Sequence, residues 1–226
     1  MVLPLLVACS HGTASPDGQR AVEALVAALA ARRPDLDVRA AFVDVQQPDP
    51  PRVLADAAGR PARLVPLLLS AGYHVFVDLQ RAAADSPCAS VAPALGPDPR
   101  LAGLLHERLE AVGLRSGDRV VLGAAGSSEP SAVADCAAVA EMLGERLRRP
   151  VSAAYLSAAQ PRLDAAVASL KGPGHRVVVA TYLLAPGFFA DLAARSGADV
   201  VTPPLLVPDE PVPDVLVDIV LERYLG

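Results

Sequence analysis

Apolar residues along this chain gather in short continuous runs, separated by stretches where they recur at three and four residues. Leu3 to Cys9 is a run of the first kind, followed by a polar loop from Ser10 to Gly18. Gln19 to Arg32 then carries Ala, Val and Leu at helical spacing and stops just before Pro34, which predicts strand, loop and helix in that order. The same alternation predicts further strands at Val38 to Val45, Ala62 to Leu69 and Ser90 to Leu95. Helices are predicted at Pro48 to Ala58, Val75 to Ala84 and Asp98 to Ala111. Strands that are apolar throughout are buried on both faces, and helices between them imply right-handed crossovers within a parallel sheet.

The second half repeats this order. Strands are predicted at Arg119 to Ala124, Val151 to Leu156, Arg176 to Leu183 and Asp199 to Leu205. The helices between and after them are Ser131 to Leu147, Arg162 to Leu170, Phe189 to Arg195 and Asp214 to Tyr224. Individual residues echo at the same places. Gly12 matches Gly126, and Gln47-Pro48 matches Gln160-Pro161. Val65 to Leu69 with Gly72 matches Val179 to Leu183 with Gly187, and Pro97-Asp98 matches Pro208-Asp209. The repeat is about 113 residues long, so two similar α/β domains are expected, 1–114 and 115–226, meeting in a cleft beside the carboxyl ends of their strands.

Composition agrees with paired parallel sheets. Of 226 residues 52% are hydrophobic but only 4% aromatic, with no Trp, so packing rests on Ala, Val and Leu, which disfavours an all-β sandwich. The formal charge of −5 and a pI near 5.3 give no bulk attraction to nucleic acid or to an acidic membrane. Cys9, Cys88 and Cys136 form no CxxC pair, which argues against a disulfide framework or a thiolate zinc site and for a reducing compartment. The opening MVLPLLVAC lacks the basic region of a signal peptide, and Pro66 and Gly72 interrupt the longest apolar stretch, Leu64 to Val77. A cytoplasmic protein is expected, a monomer or weak oligomer.

The two copies differ in their chemistry. His11 directly follows the first strand where the second copy has Ala125. Asp44 ends the second strand where the other copy has Ser157, and His74 follows the third where it has Phe188 or Phe189. Parallel strands deliver these loops to one edge of the sheet, so the three side chains can converge. Two imidazoles and a carboxylate suit Fe2+, Co2+, Ni2+ or Zn2+ without a thiolate. A site that must surrender its metal should hold it only moderately. His106, inside a predicted helix, and His175, in the turn Gly172 to His175, read as surface or hydrogen-bonded residues, and Cys9 as a core residue.

At His11-Gly12-Thr13, Phe42 to Asp44, Gln47-Pro48, Val65 to Leu69, Ala71 to Val75 and Leu95 to Asp98, the chain resembles the sirohydrochlorin chelatases, cofactor-free class II tetrapyrrole chelatases. The segment Tyr182 to Asp191 resembles the matching part of two-domain members. The resemblance implies two tandem chelatase-like, flavodoxin-like domains, each a four-stranded parallel sheet flanked by helices. It also implies insertion of Fe2+ or Co2+, with Ni2+ a further candidate, into sirohydrochlorin for siroheme or cobalamin synthesis, without an organic cofactor. The family's two His and one acidic residue map onto His11, His74 and Asp44, with His11 and His74 as the catalytic pair. The anionic tetrapyrrole would be held by Arg52, Arg81 and the backbone around Gly12 and Thr13 at the start of the first helix.

A non-catalytic metal carrier or tetrapyrrole-binding protein is the main alternative, separable by turnover. A histidine phosphatase would need Arg where Ser10 stands before His11, and the first loop lacks the GxGxxG spacing of a dinucleotide site.

Overall fold

A computed structural model describes residues 3–70 and 72–226, the side chains of 73–76 excepted. The first sheet contains β1 (Leu5–Ser10), β2 (Val38–Phe42), β3 (Ala62–Pro66) and β4 (Ala89–Val91), all parallel, in the order β2-β1-β3-β4. The helices that follow these strands are α1 (Pro16–Arg32), α2 (Pro50–Asp56), α3 (Tyr73–Ala84) and α4 (Pro99–Ala111). The second sheet repeats the topology as β6-β5-β7-β8, with β5 (Arg119–Ala124), β6 (Val151–Tyr155), β7 (Val177–Tyr182) and β8 (Val200–Val201). Its helices are α5 (Pro130–Leu147), α6 (Leu163–Leu170), α7 (Phe188–Ala194) and α8 (Asp214–Leu225). The expected α/β class with two four-stranded parallel sheets is the one observed.

Local chemistry explains where the elements start. The Ser15 hydroxyl accepts the Gly18 N–H at 3.3 Å, Pro16 opens α1, and Asp17 lies at its positive end. Asp49 caps α2 through the Arg52 N–H at 2.9 Å, and Asp98 caps α4 through the Arg100 N–H at 2.9 Å. Every residue of β1 and of β7 is buried, as continuous apolar runs require of central strands. Leu5, Val7, Cys9, Leu64 and Leu79 anchor one core, and Val121, Ala154, Val167, Val177 and Val179 the other.

The edge strands are shorter than expected. β4 stops at Val91 and β8 at Val201, although the apolar sequence continues to Leu95 and Leu205. Pro93, Pro203 and Pro204 lack the N–H that a ladder needs, so the chain runs on as extended loop.

Compactness divides the chain differently from the repeat. One unit comprises Met1–Leu95 with Pro208–Gly226, and the other Gly96–Val207. The last helix of each repeat therefore completes the unit built on the other repeat's sheet. Within the first unit α8 lies against α1 and β3; the Tyr224 hydroxyl donates to the Pro4 carbonyl at 2.7 Å, and Arg223 donates to the Ala94 and Leu95 carbonyls at 2.9 and 3.0 Å. Within the second, α4 lies against α5 and β7. The pattern of apolar positions shows that α4 and α8 each have a buried face, not which sheet that face covers. The Pro97-Asp98 and Pro208-Asp209 echo separates in the same region, because Asp98 caps α4 directly whereas Asp209 sits in a turn at φ 64°, before Pro213 leads into α8. Among the described residues no helix is long and apolar enough to cross a membrane.

Candidate functional site at the strand ends of the first sheet

The β1–β2 pairing continues past both strand ends. The Val43 N–H donates to the Ser10 carbonyl at 3.0 Å and the Asp44 N–H to the His11 carbonyl at 2.9 Å, which places His11 and Asp44 side by side at the carboxyl edge of the sheet. The chain then reverses through Val45 at φ 62° and the cis peptide Gln47-Pro48. Gly12 passes directly beneath this turn at φ 92°, so close that a Cβ there would stand 2.1 Å from the Asp44 carbonyl oxygen. Only glycine combines that φ with that approach.

Thr13 is held from two sides. Its N–H donates to Gln46 Oε1 at 3.0 Å, and its carbonyl accepts from Gln19 Nε2 at 2.8 Å. The Thr13 hydroxyl in turn accepts the Ser15 N–H at 3.1 Å. The Thr13 amide, expected to receive a substrate carboxylate, is bonded to Gln46 within the protein in this structure.

His11 and Asp44 are both exposed. Asp44 Oδ1 accepts the Val45 N–H at 2.8 Å, which orients the carboxylate at the strand end. His74 falls in the first turn of α3, and its side chain lies outside the described residues. Among the described residues no three His, Cys, Asp or Glu side chains gather as a metal-ligand set. Cys9 is fully buried, its thiol donates to the Val7 carbonyl, and burial pushes its pKa far above the ordinary thiol value, as befits a core residue.

The two Arg candidates occupy different depths. Arg52 is in the first turn of α2, near the strand ends, and its guanidinium pairs with Asp56 at 3.0 Å in a largely exposed i,i+4 contact. Arg81 is eight residues beyond the start of α3, about 12 Å along the helix axis toward the opposite edge of the sheet. His106 and His175 lie elsewhere: His106 faces Glu110 on α4 at 3.5 Å, and His175 Nδ1 contacts the Gly117 carbonyl at 3.0 Å.

The second sheet reproduces the backbone of this edge without the His and Asp residues that mark it. The Ser157 N–H donates to the Ala125 carbonyl at 2.8 Å, Ala158 turns at φ 52°, Gln160-Pro161 is cis, and a Cβ on Gly126 would stand 2.0 Å from the Ser157 carbonyl oxygen. The Ser157 hydroxyl donates to the Ala125 carbonyl at 2.8 Å. Because Gly72 and Gly187 are the N-caps of α3 and α7, the counterpart of His74 is Phe189, and that of Tyr73 is Phe188.

Both copies of this architecture match one known family: the sequence profile of the CbiX family covers residues 5–112 and 119–194. The chain belongs to the CbiX family. No curated protein sequence matches it. Solved structures share the CbiX-family fold at low identity. SirB from Bacillus subtilis with Fe3+ is 21% identical, with 98% of this chain and 96% of that chain covered and a TM-score of 0.80. The sirohydrochlorin chelatase SirB from Bacillus subtilis subspecies spizizenii, in complex with cobalt, is 16% identical over 99% and 94%, at 0.76. CbiX, the terminal enzyme for biosynthesis of siroheme in denitrifying bacteria, is 20% identical over 96% and 98%, at 0.68.

Gln19 and Gln46 are the members of this CbiX-family strand edge that reading the sequence for ligands passes over. A signal was available in the repeat, since Val133 and Ala159 occupy the corresponding places.

Proposed function

We propose that this CbiX-family chain is a sirohydrochlorin chelatase, a lyase that inserts Fe2+ or Co2+ into the metal-free macrocycle on the way to siroheme or cobalamin. The observation that carries the reading is the asymmetric strand edge: one scaffold occurs twice, and only the copy in residues 1–114 bears His11, Asp44 and His74. A purely structural duplication would have no reason to keep those three types together at one edge.

Metallation exchanges two pyrrole protons for one divalent cation. The protein must therefore offer the cation open coordination positions and accept the protons. In this proposal His11 and His74 hold the incoming metal or take a proton, since a neutral imidazole is competent for either near pH 7. Asp44 completes the metal site or orients an imidazole. Ligation by imidazole and carboxylate rather than thiolate keeps the metal exchangeable, which transfer to a tetrapyrrole demands. In the same proposal Arg52 receives a macrocycle carboxylate, and its exposed pairing with Asp56 is worth only about 0–1 kcal/mol, so it can be released. The enzyme would work in the cytoplasm, in keeping with three cysteines that form no disulfide among the described residues.

Absorbance-monitored anaerobic metallation with sirohydrochlorin in excess over protein tests the proposal. Many turnovers per chain above the protein-free rate are expected. A single stoichiometric binding event without acceleration would instead make the chain a carrier.

A further inference from the structure

We infer that Gln46, supported by Gln19, is a positioning residue for His11, an inference that rests on the proposal that His11 handles the metal. Two glutamines clasp the backbone of Thr13, two residues beyond His11, on either side of its Cα, one accepting the Thr13 N–H and the other donating to the Thr13 carbonyl. Gln46 itself stands two residues beyond Asp44, and its own N–H donates to the Asp44 carbonyl at 2.6 Å. One side chain therefore ties the loop carrying His11 to the loop carrying Asp44.

The second copy indicates that this tie is not needed to fold the turn. There Ala159 and Val133 replace the two glutamines, and neither side chain has a polar atom. Yet the left-handed glycine is kept, with φ 94° at Gly126 against 92° at Gly12. The paired amides are kept as well: the Ala159 N–H donates to the Ser157 carbonyl at 2.5 Å, and the Val133 N–H to the Glu129 carbonyl at 3.2 Å, where Gln19 donates to Ser15 at 2.9 Å. Even the hydroxyl turn recurs, with the Ser127 hydroxyl accepting the Glu129 N–H at 3.1 Å. The glutamines are found only where the loop bears an imidazole. Their work is therefore to narrow the range of places the exposed His11 can occupy at the end of a half-buried turn. Displacing a reacting group by about 1 Å can cost on the order of 100-fold in rate.

The test compares Gln46→Leu, which keeps the bulk of the side chain and removes the acceptor, with Gln46→Glu, which keeps an acceptor for the Thr13 N–H. Two readings are taken on the full chain: Co2+ affinity by calorimetry with the metal alone, and anaerobic metallation of sirohydrochlorin. Gln46→Leu is expected to weaken Co2+ binding about 10-fold and to lower kcat about 10- to 100-fold, with KM for sirohydrochlorin within about 2-fold of wild type. Gln46→Glu should restore most of both losses. If Gln46→Leu matches wild type in affinity and kcat, or if the Glu variant is as impaired as the Leu variant, the inference is overturned while the chelatase reading stands. If wild type binds Co2+ but does not turn over, the chelatase reading fails, and the affinity contrast still decides the role of Gln46. If wild type binds no Co2+, there is no His11 metal site to position and the inference fails with it.

Discussion

Replacing Gly12 with Ala, alongside Gly126 with Ala, separates folding from chemistry at two nearly identical backbone sites. A Cβ on Gly12 would lie 2.1 Å from the Asp44 carbonyl oxygen, and one on Gly126 2.0 Å from that of Ser157, where real Cβ contacts essentially never fall below 3.0 Å. The obstacle is backbone in both cases, so no side chain can swing aside. Each variant also places an L-residue in left-handed conformation, costing about 1–2 kcal/mol. Separating the loops sacrifices the bond from Asp44 to His11, or from Ser157 to Ala125, worth about 1 kcal/mol more. The total is about 2–3 kcal/mol for either substitution, which for a chain of this length lowers Tm by roughly 4–12 °C. Differential scanning calorimetry should find the two variants alike. Sirohydrochlorin metallation, assayed well below both transitions, should not. Gly12→Ala shifts the loop that carries His11 and should lose about 100-fold, whereas Gly126→Ala should remain within about 3-fold of wild type. Equal loss of turnover in both variants would refute the claim that the chemistry resides in one copy.

Two further outcomes follow from the packing. Asp118 is buried and accepts both Arg176 Nε at 3.0 Å and Nη2 at 2.6 Å, and the Arg176 hydrogen bond holds its carboxyl below the usual carboxylate range. Its folded pKa is thus lower than its unfolded value of about 3.9, so its stabilisation is present above that value and disappears as pH falls through the folded one. Asp118→Asn should lower the urea-derived stability by about 2 kcal/mol at pH 7, with the gap to wild type closing below pH ~4; a gap of equal size at pH 7 and pH 3 would contradict the pairing. Residues 1–114 expressed alone lack α8, whose Leu216, Val217, Ile219 and Val220 are buried, and strand Leu101, Leu104, Leu105 and Leu109 of α4 without their partners. That fragment should show no cooperative unfolding by circular dichroism, whereas residues 3–95 linked to 208–226 should; a sharp transition in residues 1–114 would undo the assignment of α8 to the first unit.

Strand and helix order was legible because it is written in local periodicity. Most strands were bounded, largely apolar runs, and most helices began near a Pro, Ser or Asp suited to the first turn, α3 after Gly72 being an exception. What local patterns cannot carry is partnership. The apolar stripe of α4 looks the same whether it covers β3 or β7, and only the folded chain shows the exchange with α8. Prolines were visible at 93, 203 and 204, yet the apolar residues around them masked their effect on β4 and β8. At the strand edge, His11 and Asp44 could be picked out by comparing the two repeats, because a ligand type is recognisable in isolation. The Thr13 amide could not, since whether it is available depends on Gln46, 33 residues away. Comparing the repeats for every polar difference, rather than for metal-binding side chains alone, brings Gln19 and Gln46 into view.

In the proposed function one strand edge, in the first copy alone, transfers a metal to a tetrapyrrole. Anaerobic initial rates of sirohydrochlorin metallation with Fe2+ and with Co2+, for wild type, His11→Ala and His74→Ala at matched folded fractions, test it most directly. Multiple turnovers are expected for wild type, with a fall to the protein-free rate in both variants for at least one of the metals. Near-wild-type rates in both variants would contradict it.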